Sequence, residues 1–200
     1  MGQFTSDIGF LEPDLDVYEL SATQKHKLGA RHVKGDKVYK YAKAAESLSS
    51  NALPVWSTYS TTPILAAASI PTSVVATRNK ITVTVGALDG LAGDGVFAVD
   101  ALEGGNLVIY VDAASATATS ILSFGILGND AAVSGGTMTI TLDGDLPINL
   151  TGGVATVDAM CSPYYNVKVS GNTGMRFPYL GIAQRKATTD EPYVWIQTLY

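Results

Sequence analysis

The sequence predicts an all-β protein, a sandwich or barrel of roughly 8–10 short strands preceded by an extended N-terminal arm. Three observations carry that expectation. From Lys80 onward, short runs rich in Val, Ile, Thr and aromatic residues recur: "KITVTV", "GVFAV", "NLVIYV", "TSILSFGI", "TMTITL", "VATVDA", "YNVKV", "YLGIAQ" and "YVWIQTL". The separators "LDGLAGDG", "LEGG", "GND", "SGG", "DGD" and "SGNTG" are turn chemistry, drawn from the 20 glycines of the chain and its aspartates and asparagines. No stretch shows the 3.6-residue apolar period of an amphipathic helix.

Taken in order, residues 1–27 read as an extended arm and residues 28–200 as the β domain. In "DIGFLEPDLDVYEL" the apolar side chains Ile8, Phe10, Leu11, Leu15, Val17 and Tyr18 alternate with acids, and Pro13 breaks any helix. Such a segment is expected to order by docking on a partner, with those six side chains as anchors. "LGARHVKGDKVYKYAKAA" reads as a hairpin turning at "KGDK", where Gly35 is free to adopt positive φ. In its second strand Tyr39 and Tyr41 share one face. The stretch "AESLSSNALPVWSTYSTTPILAAASIPTSVVATRNK" is low in charge and rich in Ser, Thr, Ala and Pro, and reads mostly as loop and irregular strand. The closing "EPYVWIQTLY" alternates again; aromatic residues so near a terminus imply a strand tied into a sheet, with Trp195 buried or at an interface.

The net charge of −5 conceals a strong segregation. Asp7, Glu12, Asp14, Asp16 and Glu19 precede the first basic residue; Lys25, Lys27, Arg31, Lys34, Lys37, Lys40 and Lys43 then stand against Asp36 alone. Between residues 81 and 167 there are nine acids and no Lys or Arg. A wholly acidic middle argues against nucleic-acid binding. The lysines read either as the solvated face of a hairpin or as a basic strand complementary to an acidic neighbour, which would steer assembly.

Signatures of chemistry are missing where they would be needed. The first residues have neither a basic start nor an apolar run, so no secretory signal is expected, and no apolar run approaches the ~20 residues that cross a bilayer. Cys161 has no partner for a disulfide and no neighbouring base, and reads as a structural thiol. His26 and His32 both lie in the basic block, and no nucleophile elbow accompanies them. "GALDGLAGDG" lacks the order of a dinucleotide fingerprint. Asp89 with Asp94, and Asp143 with Asp145, cluster oxygen ligands but do not match a calcium loop, so turn aspartates are the better account. No catalytic residue, metal, cofactor or small-molecule substrate is therefore expected.

The fragments "GDKVYKYAKAA", "ITVTVGALDGLAGDGVFAVDALEGGNLVIYVDAAS", "MTITLDGDLPINLTGG", "SPYYNVKVS" and "YLGIAQRKATTDEPYVWIQT", in that order, resemble the capsid decoration or cement proteins of tailed bacteriophages, including phages of cyanobacteria. The resemblance spans most of residues 28–198. It implies a non-enzymatic, β-rich and often trimeric protein on the outer surface of the virion. There it would bind the major capsid protein and bridge adjacent capsomers, its N-terminal extension reaching onto the shell. Under that expectation Lys34, Lys37, Tyr39, Lys40, Tyr41 and Trp195 would line contacts with the shell or between subunits. The alternative expectation is a carbohydrate-binding or host-recognition module of a head or tail fibre, in which Trp56, Tyr59, Tyr164 and Tyr165 would stack on sugars.

Overall fold

The structure, a computed structural model, describes residues 16–48, 54–57, 64–112, 118, 120–169 and 179–198. Those residues are all-β with no helix, as the sequence pattern predicts, and form twelve strands where roughly 8–10 were expected, arranged as two six-stranded antiparallel sheets. The chain divides into two compact units, one made of Met1–Tyr59 with Pro163–Tyr200 and the other of Ser60–Ser162. They are called unit 1 and unit 2 below.

Unit 1 holds β1 (Arg31–Lys34), β2 (Lys37–Lys43), β3 (Pro54–Ser57), β10 (Val167–Val169), β11 (Tyr179–Ala183) and β12 (Tyr193–Gln197), in the order β1-β2-β12-β11-β3-β10. β1 and β2 pair from Arg31↔Lys40 to Lys34↔Lys37, which leaves Gly35 and Asp36 as a two-residue turn. Gly35 takes φ +63° there, as the sequence predicted, at the position where a primed hairpin turn needs a left-handed residue. The last strand is central: β12 lies between β2 and β11, with Trp195 opposite Tyr41. A parallel bridge between Ala44 and Val167 draws the start of β10 to the end of β2, so this sheet curls on itself.

Unit 2 holds β4 (Leu65–Ser69), β5 (Lys80–Thr84), β6 (Asn106–Tyr110), β7 (Ile121–Asn129), β8 (Thr137–Leu142) and β9 (Thr156–Met160), in the order β4-β9-β6-β7-β8-β5. Burial alternates along β5, β6, β8 and β9, so one face of the sheet makes the core and the other meets solvent. Leu65, Ile81, Val83, Leu107, Ile109, Met138, Ile140, Leu142 and Val157 fill that core. Each fully buried side chain of this kind contributes about 1.5–3 kcal/mol by leaving water. On the outer face Thr82 stands opposite Thr139 and Thr84 opposite Thr137, cross-strand pairs that suit a half-solvated sheet.

One segment differs from its sequence reading and another gains detail. β3 and β4 form within the stretch read mostly as loop and irregular strand. β4 is irregular all the same: its register with β9 shifts between Leu65 and Ala68, and Ala67 sits at φ +48°. The run "GVFAV" makes only the bridge Phe97↔Ala132, because left-handed Gly93 and Gly95 precede it and Asp100 at φ +57° follows.

Candidate interaction surfaces

In unit 1 the alternation of β2 places Tyr39 and Tyr41 on one face, and β12 adds Trp195 and Tyr193 beside them. Where the sequence reading left this aromatic face to a partner, the structure covers it with the chain's own residues 16–30. Val17 packs into a cluster with Tyr39, Tyr41 and Trp195, joined at its margin by Leu28 and Ala30. Val17, Tyr39, Tyr41 and Trp195 are 1%, 3%, 2% and 1% exposed. The segment is fastened along its length. Ser21 and Tyr193 exchange backbone hydrogen bonds, the Lys25 amide donates to the Tyr41 hydroxyl at 3.3 Å, and Lys25 pairs with Glu19. At its end the Gly29 amide and the Tyr41 amide bond across to Tyr41 and Ala30, a bulge that Gly29 at φ +81° permits. Of the other arm residues, Tyr18 is exposed, while Ile8, Phe10, Leu11 and Leu15 lie outside the described residues.

Both histidines belong to this cluster. His26 meets Tyr41 edge-on at 5.0 Å and Trp195 at 5.4 Å; His32 lies 6.0 Å from Trp195 on the sheet itself. Burial holds His26 below the ordinary imidazole value, against the opposing pull of Glu19. His32 is buried, and among the described residues neither of its ring nitrogens has a hydrogen-bond partner. Burial also pushes the Tyr41 phenol up.

The structure separates the three lysines singled out from sequence. Lys34 and Lys37 flank the hairpin turn and are exposed. Lys40 points the other way: its Nζ donates to the Gly29 carbonyl at 2.9 Å and lies 5.9 Å from the Tyr164 ring, and burial lowers its pKa. Lys43 likewise sits 4.8 Å over the Tyr165 ring. Tyr164 and Tyr165 are therefore engaged by cations of their own sheet; the side chains of Trp56 and Tyr59 lie outside the description.

In unit 2 several carboxylates accept hydrogen bonds from nearby backbone amides, though of these only Asp89 is buried. Asp89 accepts from the amides of Gly86 at 2.6 Å and Ala66 at 3.2 Å, Asp143 from Gly125 at 2.9 Å, and Asp158 from Ala67 at 2.7 Å and the Tyr110 hydroxyl at 3.0 Å. Asp94 and Asp100 accept from Val96 and Asn129. Asp89, Asp94, Asp100 and Asp143 are loop and turn aspartates satisfying backbone donors, Asp158 does the same from β9, and among the described residues no three His, Cys, Asp or Glu side chains gather as metal ligands would. Asn129, which sequence reasoning passed over, is the buried counterpart: its amide bridges Ala98, Asp130 and Leu102 and ties the residue 98–102 turn to β7. Cys161 is buried, and burial pushes its thiol up.

Unit 2 also turns apolar side chains outward. Of eleven large exposed apolar side chains among the described residues, ten belong to this unit. Five stand on two adjoining loops: Leu88, Leu91, Val96 and Val99 on one and Val133 on the other. The loops are held together by the Phe97–Ala132 bridge, by the Gly135 amide donating to Val85, and by the approach of Gly95 to Ser134. Sequence offered a signal for this surface in Leu88, Leu91, Val96 and Val99, apolar residues set among glycines and aspartates. Comparison with protein-family models, with curated proteins and with solved structures finds no match.

Proposed function

We propose that this chain is a structural protein of a virion, a decoration protein that binds the outer surface of a tailed-phage head and bridges adjacent capsomers of the major capsid protein. The observation that carries the reading is the disposition of polar and apolar groups in unit 2. Five of its nine acids, Asp89, Asp94, Asp100, Asp143 and Asp158, accept from backbone amides of the same unit, while ten large apolar side chains face out. The five that gather on two joined loops, Leu88, Leu91, Val96, Val99 and Val133, are the kind of exposed apolar group that serves contact with protein. The ordered resemblance of residues 28–198 supplies the kind of contact. A subunit touching two capsomers links their separation to the loss of its own contacts, so individually weak attachments act together through effective concentration. In this reading Ile8, Phe10, Leu11 and Leu15 supply shell anchors, and Val17 is the point at which the arm joins its own domain.

Immunogold labelling of intact particles that carry the chain tests the assignment: label is expected over the head surface, and label confined to tails would overturn it. Deleting residues 2–15, which stops short of Val17, is expected to leave the β-sheet circular dichroism intact and abolish co-sedimentation with heads. Full retention of binding would remove the arm from the mechanism.

A further inference from the structure

The charges of the chain are sorted by unit. Unit 2 carries two basic residues, Arg78 and Lys80, against nine acids; the remaining eleven of the 13 Lys and Arg and nine of the 18 Asp and Glu fall in unit 1. Formal charge is therefore −7 on unit 2 and +2 on unit 1. The exposed apolar loops of unit 2 sit inside its acidic stretch, with Asp94 between Leu91 and Val96 and Asp130 close before Val133. In unit 1 the tip of the β1–β2 hairpin presents the exposed Lys34 and Lys37, with Val33 half-buried beside them. Among the described residues β1 is the terminal strand of its sheet, paired with β2 alone.

We propose that the acid-rimmed apolar loops of unit 2, Leu88, Leu91, Val96, Val99 and Val133, are the docking face for the basic β1–β2 hairpin of a second copy of this chain. Charge complementarity selects this occupant. Two unit 2 faces brought together would repel, and so would two hairpins, whereas the hairpin of one copy against the loops of another joins opposite signs around an apolar centre. The contact is heterologous, each copy offering a different surface, which is the geometry that builds closed rings of subunits or open chains. The inference deepens the self-association in the decoration-protein reading and rests on it only for its biological setting, since the contact concerns purified chain alone.

Light scattering on the purified full chain, at low salt and at roughly tenfold higher salt, is the test. Self-association is expected at low salt and at least roughly tenfold weaker at high salt. The substitutions Leu88→Ser with Val99→Ser, and separately Lys34→Glu with Lys37→Glu, are each expected to yield monomer. All four side chains are exposed, so an unchanged circular dichroism spectrum accompanies the loss. Monomeric wild-type chain at low salt, or oligomers indifferent to either pair of substitutions, would overturn the proposal. Monomer that still co-sediments with heads would overturn it while leaving shell attachment standing; oligomers that never bind heads would do the reverse.

Discussion

The two units solve the same problem, a six-stranded antiparallel sheet with two faces, in different ways. Unit 2 buries one face with aliphatic side chains and gives the other to threonines and solvent, so β5, β6, β8 and β9 alternate strictly. Unit 1 buries both faces around β2 and β12. Ala42, Val194 and Ile196 pack on one side; Tyr39, Tyr41 and Trp195 pack on the other beneath residues 16–30. The burial pattern of β12 is accordingly continuous at its centre rather than alternating. The difference teaches where each unit is vulnerable: unit 1 depends on an irregular strap lying over rings, unit 2 on turns held by carboxylates.

The largest expected effect removes the centre of the strap's contacts. Trp195→Ala leaves a void between His26, His32 and Tyr41, and truncating a buried aromatic of this size costs about 3–5 kcal/mol. Hydrogen exchange is expected to accelerate in residues 16–30, β2 and β12 while β5, β6 and β8 keep their protection. Equal loss in both sets of strands would show that the units do not unfold separately and would collapse the comparison.

The matching change in unit 2 is smaller. Asp89→Ala leaves the amides of Gly86 and Ala66 without their acceptor, and an orphaned buried donor costs roughly 1–3 kcal/mol. Exchange at Gly86, Ala66 and the neighbouring loop is expected to rise, with unit 1 unaffected. Asp89→Asn, which keeps one acceptor oxygen, is expected to recover part of the loss. If Asn behaves as Ala does, the carboxylate charge rather than its hydrogen bonding holds the turn.

These contrasts also mark what could be read in the chain beforehand. "KITVTV" and "TMTITL" declare both their strand character and their inward face, because a one-sided sheet writes its period into the residues, and β5 and β8 pair with Ile81 and Ile140 inward. Tyr39 and Tyr41 were assignable to one face for the same reason. What covers that face was not, since residues 16–30 have no period of their own and take their shape from Tyr41, Tyr193 and Trp195, far along the chain. β4, "LAAAS", has no β-branched residue, and its strand pairing comes from β9 some 90 residues later, with Asp89 and Asp158 holding the amides of Ala66 and Ala67. The lysines follow the same division: exposure of Lys34 and Lys37 follows from the turn, but the attachment of Lys40 to Gly29 follows from a bulge.

The smallest expected effect, and the one that most sharply distinguishes the units, is their response to acid. The only two histidines of the chain are His26 and His32, both in unit 1. Burial against Tyr41 and Trp195 lowers the pKa of His26 from 6.5, with Glu19 opposing and Lys25 and His32 reinforcing the shift. A histidine whose folded pKa lies below its unfolded one binds its proton more readily when unfolded, so its contribution to stability is complete above pH 6.5 and declines as pH falls below that value. Acid is thus expected to loosen the strap over Trp195. With Trp56→Phe as background, Trp195 fluorescence reports this directly: it should shift towards a solvated indole between neutral and mildly acidic pH, and His26→Leu should diminish the shift. Exchange in β5 and β8 should stay level over the same range. A shift that His26→Leu leaves untouched would show that His26 is not the source of the acid sensitivity and would overturn this account of the strap.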